Sequence, residues 1–342
     1  MAVFFDEFFD DGSLARMTKA YSGSGAEPVA EDDPAREEYS CKLSCTTEAE
    51  GWSDIDTNIS GSVLSEVYTR FAIYVPTGHD IQNGEDVYIF QSQDTNWSSV
   101  CNLAVVNSNL EVQMISVPGD WDKYDTGLYL TPGVWNEIEF YFKIHATEGV
   151  MRVWVNGKMS EATALDNYNA SSVITNMQYG IPWAGSGGHS GLYVCIDNIE
   201  ISTTRIGSLF TRSDESSLPA DDLSLNNSYT DAEVTNMGSN NTSYVERDSL
   251  QEYALHQYKF DAAGQTSASI TWNGKSNVAT GTSPVLLQIY NRSTKSWSTI
   301  DTESTAGAGT EFDLTATVNP LTNYKDANGM VTCRVYQNWA QP

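Results

Sequence analysis

The chain has 342 residues, of which 40% are hydrophobic and 11% aromatic, a composition that indicates a folded protein and excludes a disordered one. This length exceeds what a single hydrophobic core usually supports, so we expect two domains. The formal net charge is −27, most of it carried before Asn226, and repulsion of phosphate groups argues against a nucleic-acid partner and against binding to an anionic membrane.

The first segment, MAVFFDEFFDDGS, has neither the basic stretch nor the apolar run of a secretory signal, and no run approaches the ~20 apolar residues of a membrane span. We therefore expect either that a signal has been removed or that the protein leaves its cell by another route, such as the lysis that releases virus particles. The five cysteines are an odd number without the spacing of a disulfide framework, which predicts buried free thiols.

Polar and apolar residues alternate through most of the chain, and no stretch of about eleven residues keeps a helical apolar stripe, so the sequence predicts an all-β protein. Turn signals include Asn156-Gly157 and Pro118-Gly119, whose glycines and asparagine tolerate positive φ. Many short strands separated by turns are typical of a sandwich, barrel or jelly roll. The predicted strands of the N-terminal part are 39–46, 66–75, 86–91, 102–107, 110–116, 135–144, 150–155, 177–181 and 191–201.

After residue 203 the alternation gives way to Ser, Asp, Asn and Thr, which predicts a linker or a surface excursion. Six further strands in about 100 residues then fit a second, smaller β-sandwich. These strands are predicted at 253–260, 268–272, 285–291, 296–301, 311–318 and 330–337. We therefore predict a jelly roll over residues 1–205, a linker over 206–242 and a C-terminal β-sandwich over 243–342.

The strand predicted at 135–144 has two different faces. Alternation directs Ile138, Phe140 and Phe142 to the core and places acids, aromatics and a base on the opposite face. The strands at 150–155 and 66–75 repeat this arrangement. Aromatic rings stack on the C–H face of a sugar, and charged side chains bond its hydroxyl or carboxylate groups. The residues predicted to line a glycan groove are Trp135, Glu137, Glu139, Tyr141, Lys143, Arg152, Trp154, Arg70 and Tyr68.

Three other interpretations of this face stay open. A plain solvated sheet face shows the same alternation. A retaining glycosidase needs two carboxyl groups about 5 Å apart, and Tyr141 and Phe142 stand where its E-x-D-x-x-E signature would continue. A lyase needs a base and a cation, for which Tyr141 or His145 and one of the nearby basic residues have the right chemistry. We expect binding without catalysis.

Acidic residues also suggest a calcium site. Asp6 and Glu7 lie near the start of the chain, and Asp197 lies in the last predicted strand of the first domain. The first and last strands of a jelly roll run side by side, so these carboxylates are candidates to bind Ca²⁺. A solvated acidic edge explains the same residues equally well.

Several motifs occur in the order found in one class of jelly rolls: FFDEFFDDGSL, GVWNEIEFYFKI with GVMRVWVNGK, and YGIPWAGSGGHSGLYVCIDNIEI. Together they resemble concanavalin A-like modules, in particular glucuronan lyase-like and related polysaccharide-binding jelly rolls, over Phe4 to about Thr203. The resemblance implies that Asp197 is a candidate calcium ligand and that six of the groove residues line the concave sheet, namely Trp135, Glu139, Tyr141, Lys143, Arg152 and Trp154. The R-x-E-[LV]-R strand of alginate lyases is replaced by SEVYTR at 65–70, which argues against lyase activity.

The C-terminal part resembles small β-sandwich modules of surface and phage structural proteins. We therefore expect a non-enzymatic virion structural or surface protein, either a capsid decoration or a tail-associated component, with a lectin-like, carbohydrate-binding domain. Its partners would be other virion proteins and a surface polysaccharide, and it would be a homo-oligomer displayed on the virion surface. A secreted, extracellular glycan-binding module and a polysaccharide lyase acting on a polyuronate remain alternatives.

Overall fold

The fold is almost entirely β, which confirms the predicted fold class. The chain divides into two units, Met1–Ile206 and Gly207–Pro342. The structure is a computed structural model, and it describes residues 3–7, 9, 13–15, 17–23, 25–34, 39–45, 51–59, 64–79, 81–82, 85–117, 121–167, 173–185, 191–207, 209–237, 244–246 and 252–338.

The N-terminal unit is a jelly-roll sandwich of two antiparallel sheets. Its strands are β1 (Val3–Glu7), β2 (Thr18–Gly23), β3 (Val29–Glu31), β4 (Ser40–Ser44), β5 (Gly51–Asn58), β6 (Glu66–Tyr74), β7 (Asp86–Gln93), β8 (Ser99–Val106), β9 (Glu111–Ser116), β10 (Asp122–Tyr129), β11 (Trp135–Lys143), β12 (Gly149–Val155), β13 (Lys158–Leu165), β14 (Asn176–Ala184) and β15 (Tyr193–Ser202). Sheet A has the order β13-β12-β11-β6-β15-β4-β3, with β1 also paired to β15, and sheet B has the order β10-β9-β8-β7-β14-β5-β2. The pairing of β1 with β15 confirms that the first and last strands of this unit are neighbours.

Aromatic side chains from both sheets meet in the core of this unit. Phe140 of sheet A lies 5.6 Å from Phe90 of sheet B, centroid to centroid, and Phe71 of sheet A lies 5.3 Å from Tyr179 of sheet B. The Tyr179 hydroxyl shares a 2.7 Å hydrogen bond with the Thr69 hydroxyl, so its polar atom is satisfied inside the core. Each large apolar side chain buried in this way stabilises the fold by about 1.5–3 kcal/mol. The predicted inward direction of Ile138, Phe140 and Phe142 is confirmed.

Local features of the sequence behave as expected. Asn156 and Gly157 have φ values of 51° and 95° and form the two-residue turn between β12 and β13, which confirms that predicted hairpin. The turn predicted at Pro118-Gly119 lies outside the described residues.

All five cysteines are free and buried, as predicted. No described helix has the length and hydropathy of a membrane span.

The C-terminal unit is a smaller β-sandwich. Its elements are β16 (Phe210–Glu215), β17 (Asn227–Ser228), α1 (Asp231–Met237), β18 (Tyr253–Asp261), β19 (Ala268–Lys275), β20 (Val285–Asn291), β21 (Ser296–Glu303), β22 (Glu311–Val318) and β23 (Met330–Asn338). A sheet of order β17-β16-β18-β23-β20-β21 and the two-stranded sheet β19-β22 enclose a core that includes Leu287, Leu314 and Cys333.

Much of the stretch expected as a linker, residues 206–242, is built into this unit. Strand β16 pairs with β18 along its whole length. Residues 219–225 then cross one face of the larger sheet, where backbone carbonyls of this segment accept hydrogen bonds from Gln257, Trp297 and Arg334 at 2.7–3.1 Å. The polar composition of this stretch suggested a linker, but the segment is held in place by hydrogen bonds from polar side chains of the sheet.

Candidate functional site

The nine residues of the predicted groove lie together on the outer face of sheet A. Register along β6, β11 and β12 places them side by side. Two cross-strand rows result, Arg70–Glu139–Trp154 and Tyr68–Tyr141–Arg152, and the remaining residues Trp135, Glu137 and Lys143 continue along β11.

Most of this face is closed to solvent. Trp135, Trp154, Tyr141 and Glu139 are all buried, the last of them to 2% exposure. The guanidinium of Arg205 lies 4.7 Å from the centre of the Trp154 ring, and the chain at this point covers the tryptophan. The outer face of β11 is therefore packed almost as fully as its inner face.

The charged groups of this face are bound to one another. Arg70 donates to Glu200 at 2.9 Å, Arg152 is paired with Glu161, and the Tyr141 hydroxyl donates to Glu66 at 2.8 Å. A sugar would have to displace these contacts to gain its own hydrogen bonds. Lys143 and Arg152 keep about a third of their side chains exposed, at 36% and 35%.

Tyr141 is also poorly suited to act as a base. Burial, together with its hydrogen bond to Glu66, raises the pKa of this phenol well above its ordinary value. The hydroxyl is therefore protonated at neutral pH, whereas a lyase base has to be ready to accept a proton.

The proposed calcium ligands are only partly described. Asp6 pairs with Glu200 and Glu7 with Ile199 in the backbone register, but the side chains of Asp6 and Glu7 lie outside what the structure describes. Asp197 is fully buried on β15, and its Oδ1 accepts a 2.7 Å hydrogen bond from the N–H of Asn198. Among the described residues, no three His, Cys, Asp or Glu side chains are grouped so that they could hold a metal.

The outer face of sheet B carries an open groove of about 660 Å³ that sequence reasoning did not single out. The side chains that line it are aromatic, amide, hydroxyl and proline groups. They belong to Trp52, Tyr88, Gln91, Gln93, Ser99, Trp121, Gln178, Pro182 and Trp183.

Three rings form what we call the aromatic row, Trp183, Tyr88 and Trp121. Trp183 on β14 pairs across the strands with Tyr88 on β7, their ring centres 5.1 Å apart, and Tyr88 lies 6.4 Å from Trp121. Tyr88 is buried against Ala104 and other apolar side chains of the same face, so the middle of the row is fixed by packing. Trp121 remains 46% exposed, and Trp52, on the other side of the groove, 40%.

Beside the aromatic row runs a row of amides, Gln178, Gln91 and Asn102, paired across β14, β7 and β8. Gln178 and Gln91 line the groove, whereas Asn102 is fully buried. Gln178 donates to Asp54 Oδ1 at 3.1 Å. Asn176, the next residue of β14 on the same face, donates to the side-chain Oε1 of Gln93 at 3.0 Å. An amide carries both donors and acceptors, which matches the mixed hydrogen-bonding character of a sugar hydroxyl.

Two acids on β5 underlie this amide row. Asp54 is fully buried, and burial next to Asp56 raises its pKa to about 8, so its neutral form is stable at neutral pH. Burial also raises the pKa of Asp56, whose Oδ1 accepts a 3.0 Å hydrogen bond from Asn176. These acids therefore act as supports for the amides.

A tryptophan also stands at the hairpin between β7 and β8. Asp94 Oδ1 accepts hydrogen bonds from the N–H groups of Asn96 and Ser98 at 2.8 and 2.9 Å, which fixes the turn. Trp97 in this turn has a φ of 62° and is 65% exposed. The hairpin thus displays a large apolar side chain next to Gln93 and Ser99, which line the groove.

The sequence did carry a signal for this site. Glutamines occur at alternate positions 91 and 93 and again at 113 and 178, each in a predicted or neighbouring strand segment. Tryptophans stand at 52, 121 and 183, at or next to strand ends. Alternating amides flanked by tryptophans therefore mark the position of this groove in the sequence.

Comparison with known proteins gave partial structural likenesses. No family model matches the chain, and no curated protein sequence matches it. Among solved structures, the chain is similar to the cellulose-induced protein Cip1, with 16% identity, a TM-score of 0.46 and coverage of 60% of this chain and 99% of that one. It is also similar to the alginate lyase vAL-1 from Chlorella virus, with 14% identity, a TM-score of 0.38 and coverage of 58% and 91%. Domain 4 of the arabinanase AbnA from Geobacillus stearothermophilus, solved in complex with arabinotriose, gives 15% identity, a TM-score of 0.39 and coverage of 58% and 91%.

Proposed function

We propose that the N-terminal unit binds a polysaccharide without cleaving it, and that the bound sugar chain lies on the outer face of sheet B. The observation that carries this proposal is the aromatic row beside the amide row in one open groove. Flat rings stack on the C–H faces of pyranose units, and the neighbouring amides can exchange hydrogen bonds with the hydroxyls.

Rigidity supports this use of the face. Trp183 and Tyr88 are paired across two central strands of sheet B, and Tyr88 is wedged into an apolar floor. A ring held in this way loses little conformational entropy when a ligand stacks on it. The groove is therefore preorganised for an extended ligand that crosses the strands.

The described lining of the groove differs from that of a glycosidase. Glycosidases place two carboxyl groups on either side of the scissile bond, and none of the described residues that line this groove is acidic. Asp54 and Asp56 lie behind the amides with exposures of 0% and 7%, and both accept hydrogen bonds from them. This arrangement favours binding over hydrolysis.

Binding is tested with insoluble polysaccharides in depletion assays and with soluble chains in calorimetry. Trp121→Ala and Trp183→Ala should each weaken binding about tenfold, because truncation of a central aromatic contact typically costs more than about 1 kcal/mol. Arg152→Ala on sheet A is the matched control and should bind like the wild type. Loss of binding in Arg152→Ala with retention in Trp121→Ala would assign the site to sheet A and refute the proposal.

The location of the protein is the second part of the proposal. We assign the protein to a virion surface, as a capsid decoration or tail-associated component that assembles as a homo-oligomer; an extracellular module is the alternative. Five buried free thiols support this, because a cytoplasmic assembly route needs no disulfides. Mass spectrometry of purified particles, with light scattering of the isolated protein for its oligomeric state, tests the assignment. Absence of the protein from the particles would refute it.

Calcium binding by Asp6, Glu7 and Asp197 also remains a proposal. It is supported by the pairing of β1 with β15, which brings the two acidic strands together. Added Ca²⁺ should raise the Tm of the wild type and leave that of Asp197→Asn unchanged, because a ligand that binds only the folded state stabilises it. Equal shifts in both proteins would place the ion elsewhere.

A further inference from the structure

The charges around the groove on sheet B differ from those on the opposite face of the same unit. The described residues that line the groove carry no formal charge. Acidic residues lie around them, with Asp86 on β7 and Asp125 on β10 beside the groove, and with Asp56 and the protonated Asp54 of β5 behind the amides. From this arrangement we infer that the groove selects an uncharged polysaccharide and excludes polyuronates, an inference that rests on the glycan-binding function proposed above.

Lys123, a described basic residue on this face, is already paired with an acid. Lys123 donates to Asp86 at 2.7 Å, and Asp86 lies two residues before Tyr88 in the aromatic row. Asp125 accepts a 2.7 Å hydrogen bond from Gln113, which pairs across the strands with Ala104 in the apolar floor. A uronate entering the groove would therefore approach the carboxylate of Asp125, and it would find Lys123 already paired with Asp86.

Recognition of a carboxylate is strongest with charged donors, above all arginine, which offers two parallel N–H groups. The arginines described in sheet A and its C-terminal extension, Arg70, Arg152 and Arg205, lie on the other face of the unit. Each of them pairs there with an acid, Glu200, Glu161 or Glu139. The described lining of the groove consists of amides, rings, a serine and a proline, which suit neutral hydroxyls.

Charge repulsion sets the expected size of the effect. Like charges a few ångströms apart near a protein surface repel each other, and salt screens this interaction over about 10 Å at 0.1 M. A chain with one carboxylate per sugar would bring several such charges over the groove. We expect binding at least tenfold weaker than that of the matching neutral chain at low salt, and a smaller difference at high salt.

The experiment compares polysaccharides that differ only in charge. Mixed-linkage β-glucan, xyloglucan and glucomannan are each tested beside their C6-oxidised derivatives, in which the primary alcohols have become uronate carboxylates. Wild type should bind at least one neutral chain and bind its oxidised form at least tenfold more weakly. Equal or tighter binding of the oxidised chain would overturn the inference, while the proposed glycan-binding function would stand.

Two variants connect the selectivity to the groove. Gln91→Lys places a cation in the amide row and should raise the ratio of affinity for the oxidised chain to affinity for the neutral chain several-fold. Thr163→Lys, at an exposed position on β13 of sheet A, is the control of equal charge change and should leave this ratio unchanged apart from the general effect of net charge. The same gain from both variants would show that net charge, and not the groove, sets the preference. If no polysaccharide binds, or if Trp121→Ala binds like the wild type, the proposed function itself fails.

Discussion

The backbone N–H of Ile206 donates a 2.7 Å hydrogen bond to Oε1 of Glu139, a carboxylate that is 2% exposed. Arg205, the preceding residue, lies 3.5 Å from Oε2 of the same group. An acid that the sequence predicts to face a sugar is thus used to fasten the end of the N-terminal unit to its own sheet.

This contact predicts a stability defect without a binding defect. Glu139→Ala leaves the Ile206 N–H without this acceptor and should lower the free energy of unfolding by about 1–3 kcal/mol. Glu139→Gln keeps one oxygen acceptor and should lose less. Urea unfolding measures both, and depletion assays at a temperature where each variant is folded should give wild-type glycan affinity. Loss of affinity in fully folded Glu139→Gln would instead indicate that Glu139 takes part in glycan binding.

Strand β11 shows how far sequence reasoning reaches. Period-2 alternation correctly directs Phe140 and Phe142 into the core, because the direction of a side chain depends only on its position in the strand. Whether the opposite face is open depends on what lies over it, here a segment more than 60 residues later in the chain. No local pattern in WNEIEFYFK contains that information.

Strand β5 was missed for a related reason. Its outer face carries Asp54 and Asp56 at positions where the alternation leads one to expect exposed residues, and these acids are buried because Asn176 and Gln178 cover them from β14. Strands β10 and β13 were missed because they lie at sheet edges, where one side of the strand is unpaired and a polar composition is tolerated. Whether these segments form strands, and which of their residues are buried, depends on partners distant in sequence and not on local propensity.

Asp54 makes the stability of the protein depend on pH. Its pKa is about 8 in the folded state against an ordinary value of 3.8, so between these values the folded state holds a proton that the unfolded state has released. Stability should therefore fall as the pH rises from about 4 to about 8, by up to about 1.4 kcal/mol per pH unit from this group.

Asp54→Asn should remove that dependence, because the amide resembles the neutral acid. Calorimetry measures the Tm of both proteins. As the pH rises from 5 to 8, the Tm of Asp54→Asn should increase relative to that of the wild type. Asp122→Asn, at an exposed position on β10, is the control and should show no such trend. A pH-independent difference for Asp54→Asn would mean that Asp54 is ionised throughout this range.

The cysteines should be unreactive in the folded protein. All five are buried, and burial raises the pKa of Cys101 and of Cys195 to about 12, so very little thiolate exists at pH 8. A chromogenic disulfide reagent should label less than one thiol per chain rapidly in buffer and all five in denaturant. Rapid labelling of a thiol in buffer would reveal local opening of the strand that holds it.

The segment that crosses the C-terminal sheet depends on one buried carboxylate, Asp222. Its Oδ2 accepts hydrogen bonds from Arg292 and, at 2.5 Å, from the hydroxyl of Thr332. The side chains of Asp222 and Arg292 are 4% and 6% exposed, so removal of the acid leaves a buried guanidinium without its counter-charge. Loss of one partner of a buried ion pair typically costs about 3–5 kcal/mol, more than the loss of a single neutral hydrogen bond.

Asp222→Ala should therefore destabilise the C-terminal unit by that amount, and hydrogen exchange followed by mass spectrometry can locate the effect. Faster exchange is expected in β18 and β23, which lie beneath the segment, with no change in the strands of sheet B. Asp222→Asn keeps an acceptor for Thr332 but loses the charge, and should fall between the wild type and Asp222→Ala. If Asp222→Ala left exchange in β18 unchanged, residues 219–225 would contribute nothing to the stability of the sheet, and the linker interpretation of this stretch would be restored.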